Sequence, residues 1–215
     1  NLIKIMKNAG KLTDTVPFAS VVDNSYATYY RSEKTVPLTS EQMKKTNEAP
    51  VKVYGGIRVS SFKIRGGYNA KRDVEKVKAL RDALGYDFDL AIDCGQGYVP
   101  FAWSAKEAIQ VVSALEEYKL MFIEEPCRTD ELDVYAAVRE ASGTTPIAGG
   151  ENGCSIFEYK QLIDNKCLDI IQPDVTHAGG IGEVKKAAEY AALNGISVAP
   201  HVFRSGASFA AHLHL

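Results

Sequence analysis

Three acidic residues, Asp93, Glu124 and Glu151, each close a short apolar run: Leu90-Ala91-Ile92-Asp93, Met121-Phe122-Ile123-Glu124 and Ile147-Ala148-Gly149-Gly150-Glu151. The intervals, 31 residues from Asp93 to Glu124 and 27 from Glu124 to Glu151, each have room for one helix and one strand. Each carboxylate is therefore expected where a buried strand stops. In a parallel βα barrel all such strand ends open on one face, the face on which these folds build their sites. Carboxylates gathered there repel one another unless a hard divalent cation lies between them, and an all-oxygen donor set suits Mg²⁺. Taken alone, any one of these acids reads best as a solvated charge at a strand end. The repetition is what argues for a metal site.

Two more strand ends continue the series. Asp174 ends Ile170-Ile171-Gln172-Pro173-Asp174, and His201 ends Ile196-Ser197-Val198-Ala199-Pro200-His201, 27 residues later. A carboxylate and an imidazole on neighbouring strands can share a hydrogen bond that fixes the ring tautomer and raises its basicity, as a general base requires. On the other side of the series, Lys63 and Arg65 lie in Val59-Ser60-Ser61-Phe62-Lys63-Ile64-Arg65-Gly66-Gly67, with Lys63 30 residues before Asp93. Side chains two apart on a strand share a face, so both cations are expected to point into the same space. The plain alternatives are an edge-strand charge pair for Lys63 and Arg65 and a backbone-bonded structural histidine for His201.

With these residues in place the chain resembles the barrel domain of the enolase superfamily, in its mandelate racemase-like branch. Lys63-Ile64-Arg65 is similar to that family's Lys-x-Lys motif, Asp93, Glu124 and Glu151 to its three metal ligands, and Asp174 with His201 to its Asp–His dyad. Ile123-Glu124-Glu125-Pro126, Gly150-Glu151-Asn152 and Pro173-Asp174-Val175-Thr176-His177-Ala178-Gly179-Gly180 agree in local wording. The resemblance runs from about Val16 to the C-terminus. It implies Mg²⁺-assisted removal of the proton α to a carboxylate, giving a metal-held enediolate, with Lys63 near the bound carboxylate. It also implies chemistry drawn from racemisation, cycloisomerisation and dehydration of sugar acids. On this reading Asn152 and His177 are substrate-binding candidates, although a structural bond at a helix start serves equally well for His177.

Three departures from the family pattern bear on the reaction. Arg65 stands where a lysine base is commonest, and an arginine keeps its proton at physiological pH, so it stabilises negative charge without abstracting a proton. Asp93-Cys94-Gly95 replaces the frequent Asp-x-Asn. The chain also ends at His212-Leu213-His214-Leu215, before the family's eighth strand, and its N-terminal capping domain is not part of the sequence. Racemisation needs a base on each face of the substrate, whereas dehydration needs one base and an acid for the leaving hydroxyl. The expectation is therefore a dehydratase of a sugar acid yielding a 2-keto-3-deoxy acid. A racemase or epimerase, and a non-catalytic barrel relative, remain the alternatives.

The elements that must position these groups alternate. Asn69 is placed to cap a helix through Leu84, with Val74, Val77, Leu80 and Leu84 on one stripe and Gly85 at its end. Ser104-Ala105-Lys106-Glu107 and Ser155-Ile156-Phe157-Glu158 both read as capping boxes. Further helices are expected over about 130–141 and 182–193. Strands are expected near 16–21, 58–64, 89–93, 120–124, 146–149, 169–172 and 196–199, parallel and adjacent in chain order. The fold class is α/β: a TIM-like (β/α)7β parallel barrel lacking its last strand and its capping domain. Residues 1–15 form a leading segment and 16–215 the partial catalytic barrel, with 28–50 a long loop or a loop and short helix.

Bulk properties exclude other classes. The 215 residues are 46% hydrophobic and 24% charged, ordinary for a soluble globular protein. A net charge of −2, with no basic run beyond pairs such as Lys44-Lys45, argues against nucleic acid as a partner. No stretch approaches the ~20 apolar residues of a membrane span, and no signal peptide opens the chain. Cys94, Cys127, Cys154 and Cys167 show no CxxC spacing. Reduced thiols in a cytoplasmic homo-oligomer acting on a small carboxylic acid are the expectation.

Overall fold

The computed structural model describes residues 52–54, 57–59, 61–203 and 205–215. The expected strand at 16–21 and the segment 28–50 lie outside them. Strands β1 (Lys52–Tyr54) and β2 (Ile57–Val59) pair antiparallel with each other. The rest follows as β3 (Ser61–Arg65), α1 (Ala70–Leu84), β4 (Asp89–Asp93), α2 (Ala105–Leu115), β5 (Ile123–Glu124), α3 (Leu132–Ala141), β6 (Ile147–Gly149), α4 (Ile156–Asp164), β7 (Ile170–Ile171), α5 (Ile181–Leu193), β8 (Ser197–Val198) and α6 (Gly206–His212).

Six strands, β3 to β8, form one parallel sheet in chain order. With a helix after each strand this is the wall of a TIM-like barrel. The expected strand at 58–64 is two strands instead. Residues 57–59 belong to the antiparallel β1–β2 pair and only Ser61–Arg65 enters the parallel wall. Period-2 alternation reads the same on either side of such a break, so the sequence could not reveal it.

Strands β4 to β6 are covered on both faces beyond Asp89, which is why they read as apolar runs and not as alternating patterns. Leu90, Ala91, Ile92, Ile123, Ile147, Ala148 and Ile171 are all fully buried. Outside them α1 packs on α2, α2 on α3 and α4 on α5. Asn69 caps α1 by accepting from the Arg72 backbone, and Gly85 ends it at φ +76°. Val77, Leu80 and Leu84 are buried on the expected stripe, and Val74 is partly so.

Ser104 and Glu107 form the expected capping box on α2. The second one does not form: Ser155 is the N-cap of α4 but its side chain makes no cap bond. Glu158 reaches one residue further back, to the Cys154 N–H at 3.0 Å. The helix α6, capped by Ser205 through the Ser208 N–H, was not foreseen. All four cysteines are free thiols and three are buried. No helix among the described residues is long and apolar enough to cross a membrane.

Candidate active site at the strand ends

Register brings the predicted groups to one level of the wall. In the parallel ladder Arg65 pairs with Asp93, and Asp93 with Glu124, so the ends of β3, β4 and β5 are adjacent. Lys63 and Arg65 share a face as alternation requires. Arg65 donates through Nη1 to Asp93 Oδ2 at 2.8 Å, and the Lys63 ammonium bonds the Glu124 carboxylate while lying 3.7 Å from Asp93 Oδ2. Asp93 and Glu124 are buried beside the two cations.

A second group forms across β6 to β8. His201 Nδ1 lies 3.0 Å from Asp174 Oδ2, and its Nε2 lies 3.3 Å from Glu151 Oε2. Asp174 is buried, with its other oxygen accepting from the Thr176 N–H at 2.8 Å and from the Thr176 hydroxyl at 2.6 Å. An ionised Asp174 accepts only, so Nδ1 carries the ring proton and the remaining nitrogen, Nε2, is the one available for proton transfer. Burial alone would raise the Asp174 pKa, but the Thr176 and His201 hydrogen bonds outweigh it and hold the carboxyl below its usual range.

His212, on α6, comes within 3.9 Å of Asp174 Oδ1. Its Nε2 accepts from the Val175 N–H at 3.2 Å and its Nδ1 faces the Ser208 carbonyl at 2.8 Å, so the ring is neutral with the proton on Nδ1.

Charge at the buried centre is tuned by burial. Desolvation raises the Glu124 pKa, the Lys63 ammonium opposes it, and the Asp93 charge adds to the rise. Glu125 is pushed up to about 8, first by burial and then by the Glu151 charge. Its Oε1 accepts from the Gly150 N–H at 3.3 Å, while Oε2 is buried with no hydrogen-bond partner among the described residues. For Arg65, burial is opposed and outweighed by Asp93 and Tyr98, which leaves the guanidinium more firmly protonated than usual.

The donor set fits a hard cation in its chemistry: three carboxylates, all oxygen, at the ends of β4, β5 and just past β6. Among the described residues the acids nonetheless stand in two groups, Asp93 and Glu124 around Lys63 and Glu151 with Asp174 around His201. No cluster of three metal-ligating side chains is gathered among the described residues. The ammonium of Lys63 supplies the countercharge in the first group, and the His201 ring stands between the two acids of the second.

Asn152 and His177 stand on the loops after β6 and β7, both half-buried. The Asn152 amide nitrogen is buried and without a partner among the described residues, and the His177 N–H donates to the Asp174 carbonyl at 3.0 Å. Sequence reasoning missed four residues: Gln172, which donates to Glu124 Oε2 at 2.8 Å, and Glu125, Thr176 and Tyr98. Gln172 and Glu125 could have been found by asking which polar residues flank the periodic strand ends. Tyr98 and Thr176 carry no signal of that kind.

The family described as Enolase C-terminal domain-like matches residues 43–215. D-galactarolactone cycloisomerase of Agrobacterium fabrum is 35% identical over 151 residues, covering 70% of this chain and 38% of that protein. L-talarate/galactarate dehydratase of Salmonella typhimurium is 34% identical over 161 residues, 75% of this chain and 37% of that protein. The crystal structure of L-talarate dehydratase from Polaromonas sp. JS666, complexed with Mg and L-glucarate, superposes with a TM-score of 0.64. It has 29% identity and covers 72% of this chain and 41% of that one. The chain thus spans about two fifths of the length of these relatives.

Proposed function

We propose, since the chain belongs to the Enolase C-terminal domain-like family, that it carries the catalytic face of a Mg²⁺-dependent dehydratase acting on a sugar acid. The observation that carries this reading is the His201–Asp174 pair, one strand end from Glu151, set in the same wall as the Lys63, Arg65, Asp93 and Glu124 cluster. A base with a fixed tautomer thus shares the strand-end face with fixed positive charge. Proteins named as dehydratase and cycloisomerase of sugar acids among its relatives support the substrate class.

In this reading Asp93, Glu124 and Glu151 hold the cation. Bound there, Mg²⁺ would supply Lewis-acid stabilisation of the substrate carboxylate as its α proton leaves. Lys63 and Arg65 add fixed positive charge, which acts most strongly where water is excluded. Nε2 of His201 takes the α proton, and Asp174 holds the imidazolium that results. The Cα–H pair then forms the Cα–Cβ double bond as the β hydroxyl departs, taking the proton from the His201 imidazolium and leaving as water. The enol that remains tautomerises, gaining a proton at Cβ and losing the one on its enol oxygen, to become the 2-keto-3-deoxy acid. Arg65 gives the opposite face charge but no base, which is why elimination is favoured over racemisation.

The test uses the full-length protein with Mg²⁺ and a panel of acid sugars, scored for 2-keto product and for uptake of solvent deuterium at Cα. His201→Asn should lower both by 10²-fold or more, on the order expected for a lost general base. Rapid racemisation of a 2-hydroxy acid by the wild type, with no keto acid formed, would sink the dehydratase reading.

A further inference from the structure

The geometry points to Gln172 as a positioning residue with two faces: its amide nitrogen orients the metal ligand Glu124, and its amide oxygen accepts from an O–H donor in the bound state. This inference rests on the metal reading of the site proposed above.

The placement follows from barrel geometry. Side chains filling a layer of a parallel barrel come from alternate strands. Lys63 on β3, Glu124 on β5 and Gln172 just past β7 are such a set. Between them on β6, Ala148 pairs with Glu124 and with Ile170, two residues before Gln172, so only a methyl group stands on the face that Glu124 and Gln172 share. The Gln172 N–H donates to the Gly149 carbonyl at 2.8 Å, so the ladder continues one residue past β7 and fixes where the side chain starts.

The direction of the amide is set by its partner. An ionised carboxylate only accepts, so the nitrogen of Gln172 must face Glu124 Oε2, and it does so at 2.8 Å. The oxygen is thereby turned away from Glu124. Gln172 is only 5% exposed, and Oε1 has no hydrogen-bond partner among the described residues. A buried amide oxygen left without a donor is unfavourable, a cost the site recovers once something carrying an O–H enters beside Glu124. Two sources have that chemistry: a water carried by the cation, and a hydroxyl of a polyhydroxy acid. The nitrogen face matters independently, because hydrogen bonds to a ligating carboxylate fix its orientation and are commonly worth 10- to 100-fold in metal affinity.

Calorimetric titration of the full-length protein with Mn²⁺, no acid present, should show binding to Gln172→Met 10- to 100-fold weaker than to wild type. Saturating Mg²⁺ then allows galactarate to be compared with adipate, the same six-carbon dicarboxylate without hydroxyls. Weaker Mn²⁺ binding with unchanged galactarate affinity assigns the donor to the water of the cation. An added loss for galactarate, with none for adipate, assigns it to the acid. Gln172→Asn keeps an amide but withdraws it by one methylene and should give the same Mn²⁺ loss, which serves if the methionine variant fails to fold. A lowered melting temperature with wild-type affinity for Mn²⁺ and galactarate would mark Gln172 as a packing residue and overturn the inference. A wild-type protein that binds no Mn²⁺ overturns the metal reading, and this inference with it.

Discussion

Arg65 and Gly95 are two halves of one arrangement. Gly95 adopts φ +57°, and a Cβ placed on it would lie 1.9 Å from Arg65 Nη2. The guanidinium occupies the space a side chain at 95 would need, and from there it reaches Asp93 at 2.8 Å. The arginine in place of a lysine and the glycine in place of an asparagine are thus coupled by volume. Gly95→Ala should both strain the backbone and push Arg65 off Asp93, and Arg65→Lys should relieve the second cost but not the first. Denaturant unfolding of wild type, both single variants and the double variant should give a coupling energy of about 0.5–3 kcal/mol. Strictly additive costs would show that Arg65 does not depend on the space over Gly95.

At the scale of elements, capping decides where the helices behind the site begin. Ser104 accepts from the Glu107 N–H while Glu107 accepts from the Ser104 N–H at 2.9 Å, satisfying two orphan donors of α2. Ser155 holds the same place on α4 without using its hydroxyl, because Glu158 bonds Cys154 instead. Two serines with the same sequence signature should therefore respond differently. Ser104→Ala is expected to cost about 1 kcal/mol, and Ser155→Ala less than about 0.5 kcal/mol. Equal losses of stability in urea titrations would mean that the two caps are equivalent in solution.

Glu125 couples the site to the stability of the whole molecule. Its carboxyl is packed where a side chain at Gly97 would stand, and its pKa is about 8 against an ordinary 4.5. The folded state therefore holds a proton that the unfolded chain releases. Below about pH 4.5 both states are protonated and the contribution to stability is full. Between about 4.5 and 8 the unfolded chain ionises first, and stability falls as pH rises through the folded pKa. The loss should be on the order of a few kcal/mol, at about 1.4 kcal/mol for each unit of difference. Unfolding midpoints measured from pH 5 to 8 in a chelator should slope downward for wild type, and Glu125→Gln should flatten the slope. Parallel curves for the two proteins would place the titrating group elsewhere.

The strand-end series was legible in the sequence because a parallel barrel repeats one strand and one helix, and each repeat ends at the same level. Asp93, Glu124, Glu151, Asp174 and His201 declared themselves by that period, and the alternation of Lys63 and Arg65 followed from the pleat. Helix ends at Asn69, Gly85 and Ser104 were readable because a cap is a local matter of a few residues. Which partner each side chain takes was not local. That Gln172 bonds Glu124 across β6, that Glu151 meets His201, and that Gly95 yields its space to Arg65 depend on strands brought side by side by the fold. The division between β2 and β3 was equally hidden, since pairing, and not side-chain alternation, decides which sheet a strand joins. The sequence by itself determined the fold and the level of the site; only the tertiary structure decided its pairings, because hydrogen bonds between distant residues are set by register and distance.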